Sequence, residues 1–242
     1  MPEETNTLII EGTDEKVENI TLLNLAVEES GNMAALRDLI KNDPSAMVAV
    51  VIPENMDDPD VIFEAVRAGA KAYIKKFASG EETKKRSAQN TGKNGGKMTA
   101  PRMINILMVE DTEEHAILMK RALESAKLKS QLSWVTDGKA ALDFLHNRGV
   151  YTDRQANPRP DLVLLDLKLP KISGLEVLEQ IKSEKGLRDI PVTVLTVSDE
   201  GTDIIRSFQG GAESYFTKSV LFLNKGKGPA ALLDTVMAMA GV

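Results

Sequence analysis

The chain has 242 residues, 42% of them apolar and 27% charged. At about 150 residues per domain that is one domain with a remainder, or two small ones, and wholesale disorder is excluded. It contains no cysteine, which removes disulfides, thiolate zinc sites, iron–sulfur clusters and thiol nucleophiles, and leaves acids, hydroxyls, lysines and two histidines to do chemistry. No apolar run reaches the ~20 residues of a membrane helix, and the acidic start Met1-Pro2-Glu3-Glu4 is unlike a signal peptide, so a cytoplasmic protein without membrane contact is expected.

Charge divides the chain into three parts. Residues 1–74 carry 5 basic and 15 acidic side chains, residues 75–102 carry 8 and 2, and residues 103–242 carry 17 and 19. Residues 1–77 include apolar runs at strand spacing, and Val61, Ile62, Phe63, Val66 and Ala70 form an amphipathic helical stripe. Residues 78–102 hold almost nothing large and apolar, so they are expected to be a flexible basic linker. The linker lacks interleaved aromatics, and nucleic acid is not expected as a partner.

From Ile104 onward, short apolar runs alternate with helix-period stretches, which predicts a parallel sheet wrapped by helices over residues 103–242. Strands are expected at Ile104–Val109, Leu132–Thr136, Leu162–Leu165, Val192–Thr196 and Ser214–Phe216. Helices are expected after Asp111-Thr112, from Gly138 through His146, around Leu175–Ile181, at Ile204–Phe208 and from Pro229 to Ala240. The loop Val220 to Gly228, with Leu221, Phe222 and Leu223, is expected to cap the core.

In open α/β sheets ligands bind beyond the carboxyl ends of the strands. The first of these strands ends in Glu110-Asp111, the third in Asp166 and the fourth in Thr196, and Lys218 follows the fifth. Three carboxylates at one edge repel one another unless a cation neutralises them, and hard oxygen ligands point to Mg²⁺. The Lys218 ammonium and the Thr196 hydroxyl supply the fixed charge and the donor that a phosphoryl group needs opposite its metal. His115 and His146 have no histidine partner at metal or phosphotransfer spacing and are expected on the surface.

These residues are similar to those of the response-regulator receiver domain of two-component signalling. The stretches that carry the resemblance are Ile106 to Asp111, Asp161 to Pro170 with Gly174, Pro191 to Thr196 and Gly211 to Lys218. The long loop His146 to Pro160 and the ending Thr217-Lys218-Ser219 resemble single-domain regulators associated with phytochromes. The resemblance implies a flavodoxin-like, doubly wound five-stranded parallel sheet. Asp166 would accept a phosphoryl group from a sensor histidine kinase, and Asp111, Asp166 and the backbone carbonyl of Lys168 would bind Mg²⁺ with Glu110 acting through water. Thr196 and Lys218 would hold the phosphoryl oxygens, and Tyr215 would be the switch aromatic turning a surface toward a downstream protein. The only chemistry expected is gain and loss of that phosphoryl group, not turnover of a substrate. Val197 replaces the usual small residue, predicting slow autodephosphorylation, and Ser219 replaces the usual proline, predicting a turn without a cis peptide.

Residues 20–77 repeat the second half of the receiver at a constant spacing of 142: Ile20 to Leu25 falls on Leu162 to Leu167, within the stretch Asp161 to Leu167, and Gly69 to Lys76 on Gly211 to Lys218. Leu8 to Thr13 resembles Leu107 to Thr112 at a spacing of 99, so 43 residues are missing between the two matches. The segment reads as a truncated receiver-like copy that lacks a helix, a strand and a helix. Asn24 replaces the acceptor, Gly12 the metal-binding acid, and Ile52-Pro53-Glu54 the threonine, so it is expected to be inert. Its open edge predicts pairing with another copy as a homodimer, docking on the intact receiver, or marginal folding.

Three rival readings are weighed. A haloacid-dehalogenase-type phosphatase would want a second aspartate where Lys168 stands. Flavin binding would want a Ser/Thr/Gly-rich loop where Glu110-Asp111-Thr112-Glu113-Glu114 stands. A phosphorylation-independent scaffold using the copy for dimerisation is the third.

Overall fold

Eight strands of this chain form one sheet in the computed structural model, which describes residues 20–24, 31–42, 47–52, 59–75, 103–125 and 129–219. In chain order the elements are β1 (Ile20–Asn24), α1 (Gly31–Asn42), β2 (Met47–Ile52), α2 (Pro59–Ala68) and β3 (Ala72–Lys75), then β4 (Ile104–Val109), α3 (Glu113–Ser125), β5 (Ser130–Val135) and α4 (Gly138–Leu145). A 3₁₀ turn at Gly149–Tyr151 precedes β6 (Leu162–Leu165), α5 (Gly174–Ser183), β7 (Val192–Thr196), α6 (Gly201–Gln209) and β8 (Ser214–Thr217). The strand order is β1-β2-β3-β8-β7-β6-β4-β5.

Strands β4 to β8 are all parallel to one another and form the five-stranded sheet that the alternating pattern predicts. The predicted helix at Pro229–Ala240, the loop Val220–Gly228, the linker 78–102, and the expectations on Leu8 to Thr13, Pro53 and Glu54 lie outside the described residues. The helix predicted from Gly138 through His146 is α4, with His146 as its C-cap, and Gly149, at φ +60°, opens the 3₁₀ turn that follows. Every described peptide bond is trans, including Lys218–Ser219.

Alternation along the strands gives the sheet two apolar faces. Leu107, Val109, Val163, Leu165, Val192 and Val194 meet α4, α5 and α6 on one side. Ile106, Met108, Leu162, Leu164, Leu195 and Phe216 meet Ala116, Met119 and Leu123 of α3 on the other. Local signals set the helix ends. Asp137 caps α4 by accepting from the Ala140 N–H at 2.8 Å. Ser173 and Glu176 form a reciprocal capping box at the start of α5.

Residues 20–75 form a parallel β1-β2-β3 sheet with α1 and α2, in the connectivity of β6 to β8. Equivalent turns match in detail: Gly69 and Gly211 both take positive φ, +98° and +94°. The register makes Leu22, Ala49 and Ala72 the counterparts of Leu164, Thr193 and Ser214. The middle strand is therefore displaced by two residues from the constant spacing of 142. Asn24 keeps the place of Asp166, and Ile52 alone takes the place of Thr196.

The two halves join in a single sheet. Strand β3 pairs with β8 antiparallel, with Ala72 opposite Phe216, Tyr73 opposite Tyr215 and Ile74 opposite Ser214. The copy docks on the intact receiver, through the β3 edge and not through the edge that the missing strand would leave open. Both faces run through the joint, since Leu36, Val50, Ile62 and Tyr73 belong to one apolar cluster and Ala49, Ala72 and Ile74 to the other.

Candidate functional site

Three strand ends and the turn after β8 bring the acidic and basic groups together. Glu110 and Asp111 follow β4, Asp166 follows β6, and Lys218 follows β8. The backbone places them first: the Asp166 N–H donates to the Val109 carbonyl at 3.0 Å, and the Glu110 N–H to the Val135 carbonyl at 3.0 Å. One carboxylate oxygen from each of Glu110, Asp111 and Asp166 lies within 4.8 Å of the other two. Like charges so close require a cation.

Lys218 supplies one. Its Nζ donates to Asp166 Oδ2 at 2.6 Å and to Glu110 at 2.7–2.8 Å, and all three residues are 2–3% exposed. In so dry a place the paired charges are effectively unscreened by salt. Asp111 is exposed and closes the group toward solvent. The donor set, three carboxylates without sulfur, suits a hard divalent cation held largely through oxygen.

The turn after Asp166 is built close to it. The Lys168 N–H donates to Asp166 Oδ1 at 3.2 Å, so this loop is drawn back onto the carboxylate. A Cβ on Gly174 would lie 2.0 Å from the Asp166 carbonyl oxygen, so only glycine lets α5 start there.

Thr196 ends β7, fully buried, and shares its place in the ladder with Thr217, the residue before Lys218. Its hydroxyl oxygen accepts from the Ser198 N–H at 3.4 Å. Tyr215 is also fully buried, and its hydroxyl donates to the Ser198 carbonyl at 2.9 Å. Burial pushes the Tyr215 phenol well above its ordinary range. Ser198 therefore ties the threonine to the tyrosine, whereas neither touches the carboxylates directly. Val197 projects at the surface, 55% exposed, beside this strip.

The expectation of two surface histidines is corrected. His115 Nδ1 lies 3.0 Å from Glu110 Oε1 and 3.2 Å from Lys218 Nζ, lining a small cavity with Met108, Met119, Leu164 and Asp166. One turn of α3 carries the ring back over the end of β4, which a spacing of five residues from Glu110 allows and a search for paired histidines overlooks. His146 is half-buried, with Nε2 2.8 Å from Glu184 and Nδ1 2.7 Å from the Leu142 carbonyl, and serves the α4–α5 contact. Trp134 is a second residue missed: its indole N–H donates to the Glu110 carbonyl at 2.7 Å.

Comparison with known proteins agrees with this geometry. Residues 106–223 match the family model described as the response regulator receiver domain. The probable methanogenesis regulatory protein FilR2 of Methanothrix harundinacea is 44% identical over 119 residues, covering 48% of this chain and 73% of that protein. Response regulator Rcp1 of Synechocystis is 42% identical over 114 residues, covering 47% and 76%. The crystal structure of the phosphorylated cyanobacterial phytochrome response regulator RcpA superposes with a TM-score of 0.50 at 34% identity, over 56% of this chain and 92% of that one. With its five parallel strands, its acidic cluster and its buried lysine, the chain belongs to the response-regulator receiver family.

Proposed function

We propose that this chain is a cytoplasmic two-component response regulator in which Asp166 accepts a phosphoryl group from the phosphohistidine of a sensor histidine kinase. The observation that carries the reading is the convergence of Glu110, Asp111 and Asp166 with Lys218 bridging two of them. An Asp166 carboxylate oxygen forms the new bond to phosphorus, the bond from phosphorus to the imidazole nitrogen breaks with its electron pair going to that nitrogen, and the ring, which carries a proton on its other nitrogen, leaves as neutral imidazole. The product is an acyl phosphate with nearly two negative charges and three acceptor oxygens.

Glu110, Asp111, Asp166 and the Lys168 carbonyl are the groups that would hold Mg²⁺, which when bound offsets the charge of the incoming phosphoryl group. Lys218 exchanges a carboxylate for a phosphoryl oxygen, and the Thr196 hydroxyl turns to donate to another. Because Ser198 joins Thr196 to Tyr215, movement of one is felt by the other, and α6 and β8, which carry α2 and β3 on their outer side, pass the change on to a surface for a downstream protein. No substrate is turned over: the cycle is gain of the group and its hydrolysis.

The test is incubation of the full chain with Mg²⁺ and acetyl phosphate, read by intact mass. The parent is expected to gain one phosphoryl group and Asp166→Asn none. No gain, from acetyl phosphate or from any candidate kinase, would transfer the weight to a phosphorylation-independent scaffold.

A further inference from the structure

The joint between the halves reaches the residues that grip the phosphoryl group. The Thr217 N–H, one residue before Lys218, donates to the Lys71 carbonyl at 2.9 Å. Tyr73 packs edge-on against Tyr215, ring centres 6.3 Å apart and planes at 77°. Lys71 pairs with Asp199, three residues after Thr196, at 3.5 Å. Phe63 of α2 lies so close over Gly201 that a Cβ there would come within 2.5 Å of its ring. Without residues 20–75, β8 would be an edge strand bonded on one side only, and edge strands fray more readily. With them, β8, which Lys218 follows and which pairs with the Thr196 strand, is interior.

We propose that residues 20–75 are a built-in docking partner, occupying the α6–β8 face in cis and positioning the Lys218 and Thr196 backbones for phosphoryl transfer. The inert half has lost its own acceptor, since Asn24 stands at that position, and retains the strand and helix that meet the receiver. With the Lys218 and Thr196 backbones already in place, only the turns of the two side chains toward the phosphoryl oxygens are left to make, so seating accelerates transfer. The inference rests on Asp166 being the acceptor.

The absence of native cysteine makes a direct test available. Thr217 and Lys71 share a ladder bond, so alternation puts Ile74 and Ser214 at a non-hydrogen-bonded pair, where Cα atoms are about 4.5 Å apart and a disulfide fits. In the full chain carrying Tyr73→Arg, Ile74→Cys and Ser214→Cys, the arginine unseats the joint and oxidation reseats it. Phosphoryl gain from acetyl phosphate, followed by intact mass, is expected to be at least about fivefold faster oxidised than reduced, the lower end of ordinary coupling between sites. Adding Lys218→Ala should shrink that ratio toward one if the effect runs through the lysine.

Equal rates in the two redox forms would overturn the positioning role while leaving the acceptor reading intact. No mass gain in the parent would overturn the acceptor reading and the positioning role with it. Seating is read independently, by deuterium uptake. Protection of residues 71–75 and 214–217 in the parent, lost in Tyr73→Arg, is expected, and free exchange at residues 71–75 in the parent would overturn the docking itself.

Discussion

Lys218 places one ammonium between two buried carboxylates, and its removal should be felt before any phosphoryl group arrives. Lys218→Met leaves Glu110 and Asp166 facing each other in a dry site, at a cost of about 3 kcal/mol in the presence of chelator. Mg²⁺ should recover part of that loss, which urea unfolding with and without the cation would show. Tyr73 and Tyr215 set a second dependence. Burial raises both phenols well above the ordinary value near 10. The unfolded chain therefore loses those protons first, and stability is intact below about pH 10 and declines as pH rises beyond it. Alkaline unfolding should be less steep in Tyr73→Phe than in the parent. Val197, whose branched side chain is exposed, is read as a brake on hydrolysis, so Val197→Ala should shorten the life of the acyl phosphate several-fold, measured by loss of mass over time. Glu110, Asp111, Asp166, Thr196 and Lys218 were legible because each stands directly after an apolar run or its turn. His115 was not, because its role arises from one helical turn folding back over a strand end, a contact that spacing permits without requiring.

Elements were legible where local chemistry dictates them. The helix start at Gly138 is legible in the sequence, and Asp137 caps it with a side chain three residues from the N–H it serves; Ser173 does the same for α5, as the structure adds. The paired glycine turns at Gly69 and Gly211 repeat because each requires positive φ. Gly174 is the most constrained such position, since its missing Cβ is filled by the backbone of Asp166 and Leu167. Gly174→Ala should cost about 1–3 kcal/mol, seen as a lower urea midpoint, and should slow phosphoryl gain by displacing the acceptor loop. The two-residue displacement of β2 was hidden, because a strand's apolar pattern fixes which faces its side chains take and leaves its partners' register to the loops on either side.

At the scale of the whole molecule, the antiparallel joint is what the sequence does not display. Period-two alternation identifies β3 and β8 as strands with two buried faces, yet it carries no information on which edges meet. The repeat at a spacing of 142 predicted two similar bodies and could not predict one sheet. Because both apolar clusters cross the joint, the described residues should unfold together: calorimetry of the parent is expected to give a single transition, and two resolved transitions would mean that the clusters are energetically separate. The chain's single tryptophan, Trp134, grips the carbonyl of Glu110 through its indole nitrogen while remaining partly open to water. Its emission is thus an intrinsic, label-free gauge of the acidic pocket, and cation titrations should be readable as quenching or a wavelength drift from this one chromophore.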